Sequence, residues 1–205
     1  MTPDEAAALF TRADGSYLFA RWNRPIVPVV FGVEAETLAT VKGAIEAMVS
    51  LAGHKMAETD PELGANLMIF FCRDWAELSD IPNLEKLIPD LHPLVARLEA
   101  REANQYRAFR FDPAGAIRAA FVFLRMDAAL QELPAEVLAL AQAAQVMLLW
   151  SSEAGQGSMF VEVDGRVILR PDIAAVIRAG YDPTLPAVAT DASHAFRLAA
   201  RVSCG

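Results

Sequence analysis

Histidine and cysteine are scarce in this chain, three and two residues among 205. Cys72 and Cys204 lie far apart, and neither belongs to a CxxC or Cys/His spacing of the kind that holds zinc. A small buried residue and a tail residue describe them better than a pair. The phosphate-cradling glycine loop with its Lys-Ser/Thr pair is absent, as is any Gly-x-Ser-x-Gly elbow for a serine nucleophile. There is no basic run. Lys and Arg total 18 against 26 Asp and Glu, and the net charge of -8 repels phosphate backbones, which argues against a nucleic-acid partner. No apolar stretch reaches the ~20 residues needed to cross a bilayer. The segment 137–150 comes closest, but it is shorter and contains Gln142 and Gln145. The opening MTPDEAAALF is acidic where a signal peptide is basic. These absences lead to the expectation of a cytoplasmic protein with no membrane span and no cofactor.

What is present is a chain 54% hydrophobic and 21% charged, too apolar for disorder and long enough for one large core. Thr2, Pro3 and Glu5 form the capping-box signature of a helix start. PIVPVVF at 25–31 reads as a strand, and Pro28, which cannot donate a ladder hydrogen bond, places it at an edge or a bulge. Residues 35–52 carry Leu38, Val41, Ile45, Met48 and Ala52 on one helical stripe, with Gly53 as the stop. LMIFFC at 67–72 is continuously apolar, as a central strand covered on both faces must be. Two short helices follow, separated at Pro89. The segments 105–111 and 117–124 flank the turn DPAG, and 159–163 and 166–169 flank Asp164-Gly165, a type I′ signal. Pro134 opens the apolar helix EVLALAQAAQVMLLW at 136–150. Further helices at 171–179 and 191–202 close the chain. Strands and helices are mixed without regular βαβ alternation, which predicts a single α+β domain over 1–205, with a mixed sheet and two β-hairpins packed against several helices.

The apolar helix occupies the place in the chain where a zinc protease carries its metal-binding helix. Such a helix needs histidines at i and i+4 with a glutamate after the first, because one turn then aims both ligands at one ion. The best-phased positions here are Leu138, Ala139 and Gln142, which supply neither the ligand pair nor the base. Gln142 and Gln145 lie three apart on roughly one face, as core amides with partners or as ligand contacts. With Glu153, in the connection SSEAGQGS, they are the candidate binding residues, and no catalytic or metal-binding residue is assigned. The Gly-x-Gly of that connection follows a helix and opens none, so a nucleotide-binding reading fails on context. His54 shares a loop with Glu58, Asp60 and Glu62, acids expected to be solvated. His92 is placed to cap a helix, and His194 sits in the first turn of the last one.

A resemblance is carried by WNRPIVPVV at 22–30, GANLMIFF at 64–71, AFVFLRMD at 120–127, the helix with Ala141-Gln142, and IRAGYDPTL at 177–185. Together they resemble an uncharacterised proteobacterial domain family with a zincin-like, metalloprotease-related layout. Members keep an acidic residue in the active-site helix and are often exported. The corresponding positions here are Leu138 and Ala139, so the resemblance implies a zincin-like fold with its catalytic equipment lost. Two functions then compete. One is a non-catalytic accessory or binding protein, a pseudoenzyme with a protein partner or a second copy of itself. The other is a hydrolase whose site is assembled from scattered residues such as His54, Glu62 or Glu153.

Overall fold

The computed structural model describes residues 1–156, 159–164 and 166–204. The α+β class read from the sequence is what the chain adopts. It begins with α1 (Pro3–Ala8), whose capping box is present: the Glu5 N–H donates to the Thr2 hydroxyl, and the Thr2 N–H to the Glu5 carboxylate. After β1 (Phe19–Ala20) come β2 (Pro28–Phe31), α2 (Ala35–Leu51) and β3 (Leu67–Cys72). A 3-10 helix (Trp75–Asp80), α3 (Leu84–Leu87) and α4 (Leu91–Ala100) lead to the hairpin β4 (Gln105–Phe111) and β5 (Ile117–Arg125). Then follow α5 (Ala128–Gln131), α6 (Ala135–Met147), α7 (Ser152–Gln156), β6 (Phe160–Val163), β7 (Arg166–Leu169), α8 (Pro171–Gly180), β8 (Val188–Ala189) and α9 (His194–Cys204).

Among the described residues the main sheet has the order β2-β3-β5-β4. Strands β2, β3 and β5 run parallel, and β4 runs antiparallel at the far edge. Pro28 thus sits in an edge strand, where a missing N–H breaks no inner ladder. Central β3 sends Leu67 and Ile69 to one core and Phe70 and Cys72 to the other. Alternation does the same in β5, with Val122 and Leu124 on one face and Phe121 and Phe123 on the opposite one. Helices α2 and α6 cover the first face, with α1, α8 and α9 beyond them, and the 3-10 helix, α3 and α4 cover the second. Gly32, at φ +79°, turns β2 toward α2, and a Cβ there would meet the Phe71 carbonyl oxygen at 2.1 Å.

The DPAG turn closes with the Gly115 N–H donating to the Asp112 carbonyl at 2.9 Å. The register slips between Arg110 and Phe111, so Arg118 becomes an extra, bulged residue of β5 and reaches out to Glu62. The second hairpin forms its own two-stranded sheet and exposes Val161, Val163, Val167 and Ile168. In its turn Asp164 has a φ of +50°, and Gly165 lies outside the described residues, as do Gly157 and Ser158 of the glycine-rich connection. His92 does not cap α4. The cap position is Asp90, and His92 is an exposed residue of the first turn.

The apolar helix stops sooner than its sequence implies. Helix α6 ends at Met147, and Leu148 is extended, at φ -131° and ψ 157°. The reason lies elsewhere in the chain. The buried Trp22 indole N–H donates to the Val146 carbonyl at 2.7 Å, and the buried Tyr181 hydroxyl donates to the Met147 carbonyl at 2.7 Å. The Leu149 N–H then donates to the Ala20 carbonyl. Carbonyls that another helical turn would have used are already occupied. Beyond the helix end, Leu148 is fully buried, whereas Leu140 is half-buried.

His194 is also fully buried. Its Nδ1 lies 2.8 Å from the Tyr17 hydroxyl, and its ring centroid is 4.4 Å from that of Phe19. Burial, helped by Arg197 and Arg201, pulls its pKa down to about 4, while burial pushes the Tyr17 hydroxyl up. The folded protein therefore holds His194 neutral in a range where the unfolded chain protonates it.

Two predictions follow from this packing. Leu148→Ala is expected to cost about 2–5 kcal/mol and Leu140→Ala clearly less. Equal denaturant midpoints for the two variants contradict that ranking. Because the folded His194 pKa is depressed, its contribution is present above the unfolded value and is lost as pH falls from about 6.5 toward 4, by roughly 3 kcal/mol at most. His194→Gln is expected to flatten this part of the stability–pH curve. Parallel wild-type and variant curves between pH 7 and 4.5 mean that the imidazole does not titrate as described.

Candidate ligand-binding cleft

Edge strand β4 alternates, so Gln105, Arg107 and Phe109 face α6 while Tyr106, Ala108 and Arg110 face the other way. On α6, Gln142 and Gln145 lie one turn apart and meet that face. Gln142 is 2% exposed, and both ends of its amide are engaged: Nε2 donates to Gln105 Oε1 at 2.9 Å, and Oε1 accepts from Arg107 Nη1 at 2.9 Å. The same Arg107 nitrogen reaches Gln105 Oε1 at 3.4 Å. A guanidinium is thus held by two neutral amide oxygens.

No carboxylate pairs with Arg107 among the described residues. Some other partly buried arginines do hold one: Arg24 holds Asp60 and Glu62, and Arg125 holds Asp127, whereas Arg110 donates to the Phe109 and Leu87 carbonyls and lies over the Phe121 ring. Arg21 has no carboxylate either, but it lies over the Tyr181 ring and donates to two main-chain carbonyls. Burial lowers the Arg107 pKa to about 10, which leaves it charged at neutral pH. Its Nε and Nη2 have no protein partner among the described residues.

Arg107 opens onto a cleft of about 490 Å³. Leu98, Phe109, Gln145, Trp150 and Ser152 line it, and Arg101 stands at its exposed side. Trp150 is fixed by its indole N–H, which donates to the Ala144 carbonyl at 3.2 Å, and by stacking on Phe10 at 5.5 Å between centroids. Ser151 behind it donates to the Ala8 carbonyl and accepts the Ala154 N–H, so its hydroxyl is structural. Among the described residues no carboxylate, imidazole or thiol lines the cleft. What the arrangement offers is a fixed cation, amides and aromatic walls, the equipment for holding an acid.

A second crevice, of about 540 Å³, lies at the carboxyl ends of the parallel strands between Gly32, Phe71, Met126 and Leu138. It is larger, but its one charged side chain, Glu34, is exposed and no buried polar group points to a ligand. We therefore place the candidate site at Arg107.

Of the candidates read from sequence, Gln142 lies beneath the cleft and Gln145 lines it. Glu153 is exposed on α7, beside the wall residue Ser152 but not in the lining. Arg107, Gln105, Phe109 and Trp150 were not picked out by sequence reasoning. Of the scattered residues named for a hydrolase, His54 and Glu62 have other partners. His54 Nε2 lies 2.9 Å from the Arg24 carbonyl oxygen, Glu62 pairs with Arg24 and Arg118, and no hydrogen bond joins His54, Glu62 and Glu153 among the described residues. Asp60 departs from the expectation of a solvated loop acid. It is buried, accepts the N–H groups of Glu62 and Leu63, and takes Asn66 Nδ2 at 3.0 Å and Arg24 Nη1 at 3.3 Å. Those hydrogen bonds outweigh its desolvation and hold its pKa below the usual carboxylate range. Among the described residues no three His, Cys, Asp or Glu side chains gather as a metal-holding group, and no helix is long and apolar enough to cross a membrane. No protein-family model, curated protein or solved structure matches the chain.

Proposed function

We propose that the protein is a non-catalytic binding protein, on a degenerate zincin-like scaffold, that holds a small carboxylate in the cleft between β4 and the carboxyl end of α6. The observation that carries this reading is Arg107, a partly desolvated cation with amide support and no counter-ion among the described residues. Arg107 lines the cleft, and its Nε and Nη2 have no protein partner among the described residues, two nitrogens being the number a carboxylate takes in a bidentate pair. Support for the non-catalytic part comes from α6, where Leu138 and Ala139 are buried in the core and the Gln142 amide is engaged by Arg107 and Gln105.

Arg107 is half-buried, with amide partners but no carboxylate among the described residues, and replacing a charge taken out of water with an apolar side chain of similar length is often neutral or stabilising. Arg107→Met therefore separates binding from scaffold. We expect calorimetric titration of the wild type with simple carboxylates to show one site per chain. In Arg107→Met the affinity is expected to drop roughly 10- to 150-fold, from the loss of a charge-assisted contact worth about 1.5–3 kcal/mol, with an equal or higher melting temperature. A variant that melts several degrees lower and binds the same acids unchanged makes Arg107 structural and removes the proposal.

A further inference from the structure

The cleft carries more than a charge, and resting on the carboxylate reading above, we infer that its ligand is an aromatic acid, a carboxylate attached to a planar ring. Trp150 is the first reason. One face of its indole stacks on Phe10 with an interplanar angle of 16°, and its N–H is spent on the Ala144 carbonyl. The ring is nevertheless only half-buried and lines the cleft, and with one face on Phe10 the flat face it has left to offer a ligand is the other one. A π face held rigid on both counts suits offset stacking with another ring.

Phe109 is the second. It is half-buried, faces the same way as Arg107 and lies two residues on, about 7 Å along the strand. The apolar body of the ligand therefore begins within one ring's length of the acid group. Leu98 and Ala103 complete an apolar wall, and the volume of about 490 Å³ suits a ligand of one or two rings rather than a long chain. The lining's other cation, Arg101, is exposed, where solvent screens it, so a second acid group gains little there.

The full chain is titrated with acetate, succinate, inorganic phosphate, benzoate and phenylacetate, using calorimetry and intrinsic fluorescence. Trp22 and Trp75 are buried, so ligand-dependent quenching reports Trp150. The aromatic acids are expected to bind at least ~10-fold more tightly than acetate and to quench the fluorescence. In Trp150→Leu their advantage over acetate shrinks. The ranking in the wild type stands on its own if that variant folds poorly, and Phe109→Leu gives a second check. If succinate or phosphate binds best, or if benzoate and acetate bind alike, the inference falls, while Arg107-dependent carboxylate binding still upholds the broader reading. If none of the five acids binds the wild type, both fall.

Discussion

The last turn of α6 is where the architecture is tied together. A helix leaves its final four carbonyls without intrahelical donors. In α6 three of those four are taken by aromatic side chains: Ala144 by Trp150, Val146 by Trp22 and Met147 by Tyr181. Trp22 precedes the main sheet and Tyr181 follows α8, so two segments distant in sequence converge on one helix end. Each indole or phenol adds a large apolar surface to the core while its polar end satisfies a carbonyl that the helix itself leaves without a donor. The helix ends at Met147 for this reason, and the chain that follows presents Trp150 to the cleft.

That rigidity explains how an otherwise unfavourable group persists beside it. Arg107 is held by the Gln105 and Gln142 oxygens, and Gln142 is itself locked in the body of α6. Neutral amides orient a guanidinium without cancelling its charge. A carboxylate in the same place, such as those paired with Arg24 and Arg125, would have made a closed structural ion pair. The guanidinium is held by amide hydrogen bonds rather than by a counter-charge among the described residues, and the chain's overall negative charge makes that local field stand out. Functional sites commonly retain such a local conflict with stability.

Much of the scaffold was legible because its signals are local. Pro28 forecasts an edge strand, LMIFFC a central one, DPAG a hairpin turn, and Thr2 with Glu5 a helix start, and each reflects chemistry within a few residues. The end of α6 was not legible, since the apolar run continues through Leu148, Leu149 and Trp150, and the residues that stop the helix lie 124 and 34 positions away. Arg107 was hidden for a related reason. In QYRAFRF both faces of the strand carry an arginine, so alternation separates Arg107 from Arg110 without saying which looks toward α6. The two glutamines of α6 were visible as amides needing partners, but the identity of those partners is a property of the hairpin's docking. Asp60 likewise read as an ordinary loop acid until Asn66 and Arg24 closed around it.

The central claim is that the Arg107 guanidinium keeps donors in reserve for an acid, and arginine side-chain ¹H–¹⁵N spectroscopy tests it most directly. Spectra of the full chain with and without benzoate, assigned through Arg107→Met, report each guanidinium separately. The account predicts that the Arg107 signal shifts and exchanges more slowly when the acid is added, while the ion-paired Arg24 and Arg125 stay where they are. An unmoved Arg107 signal under saturating acid, with changes confined to exposed arginines, contradicts it.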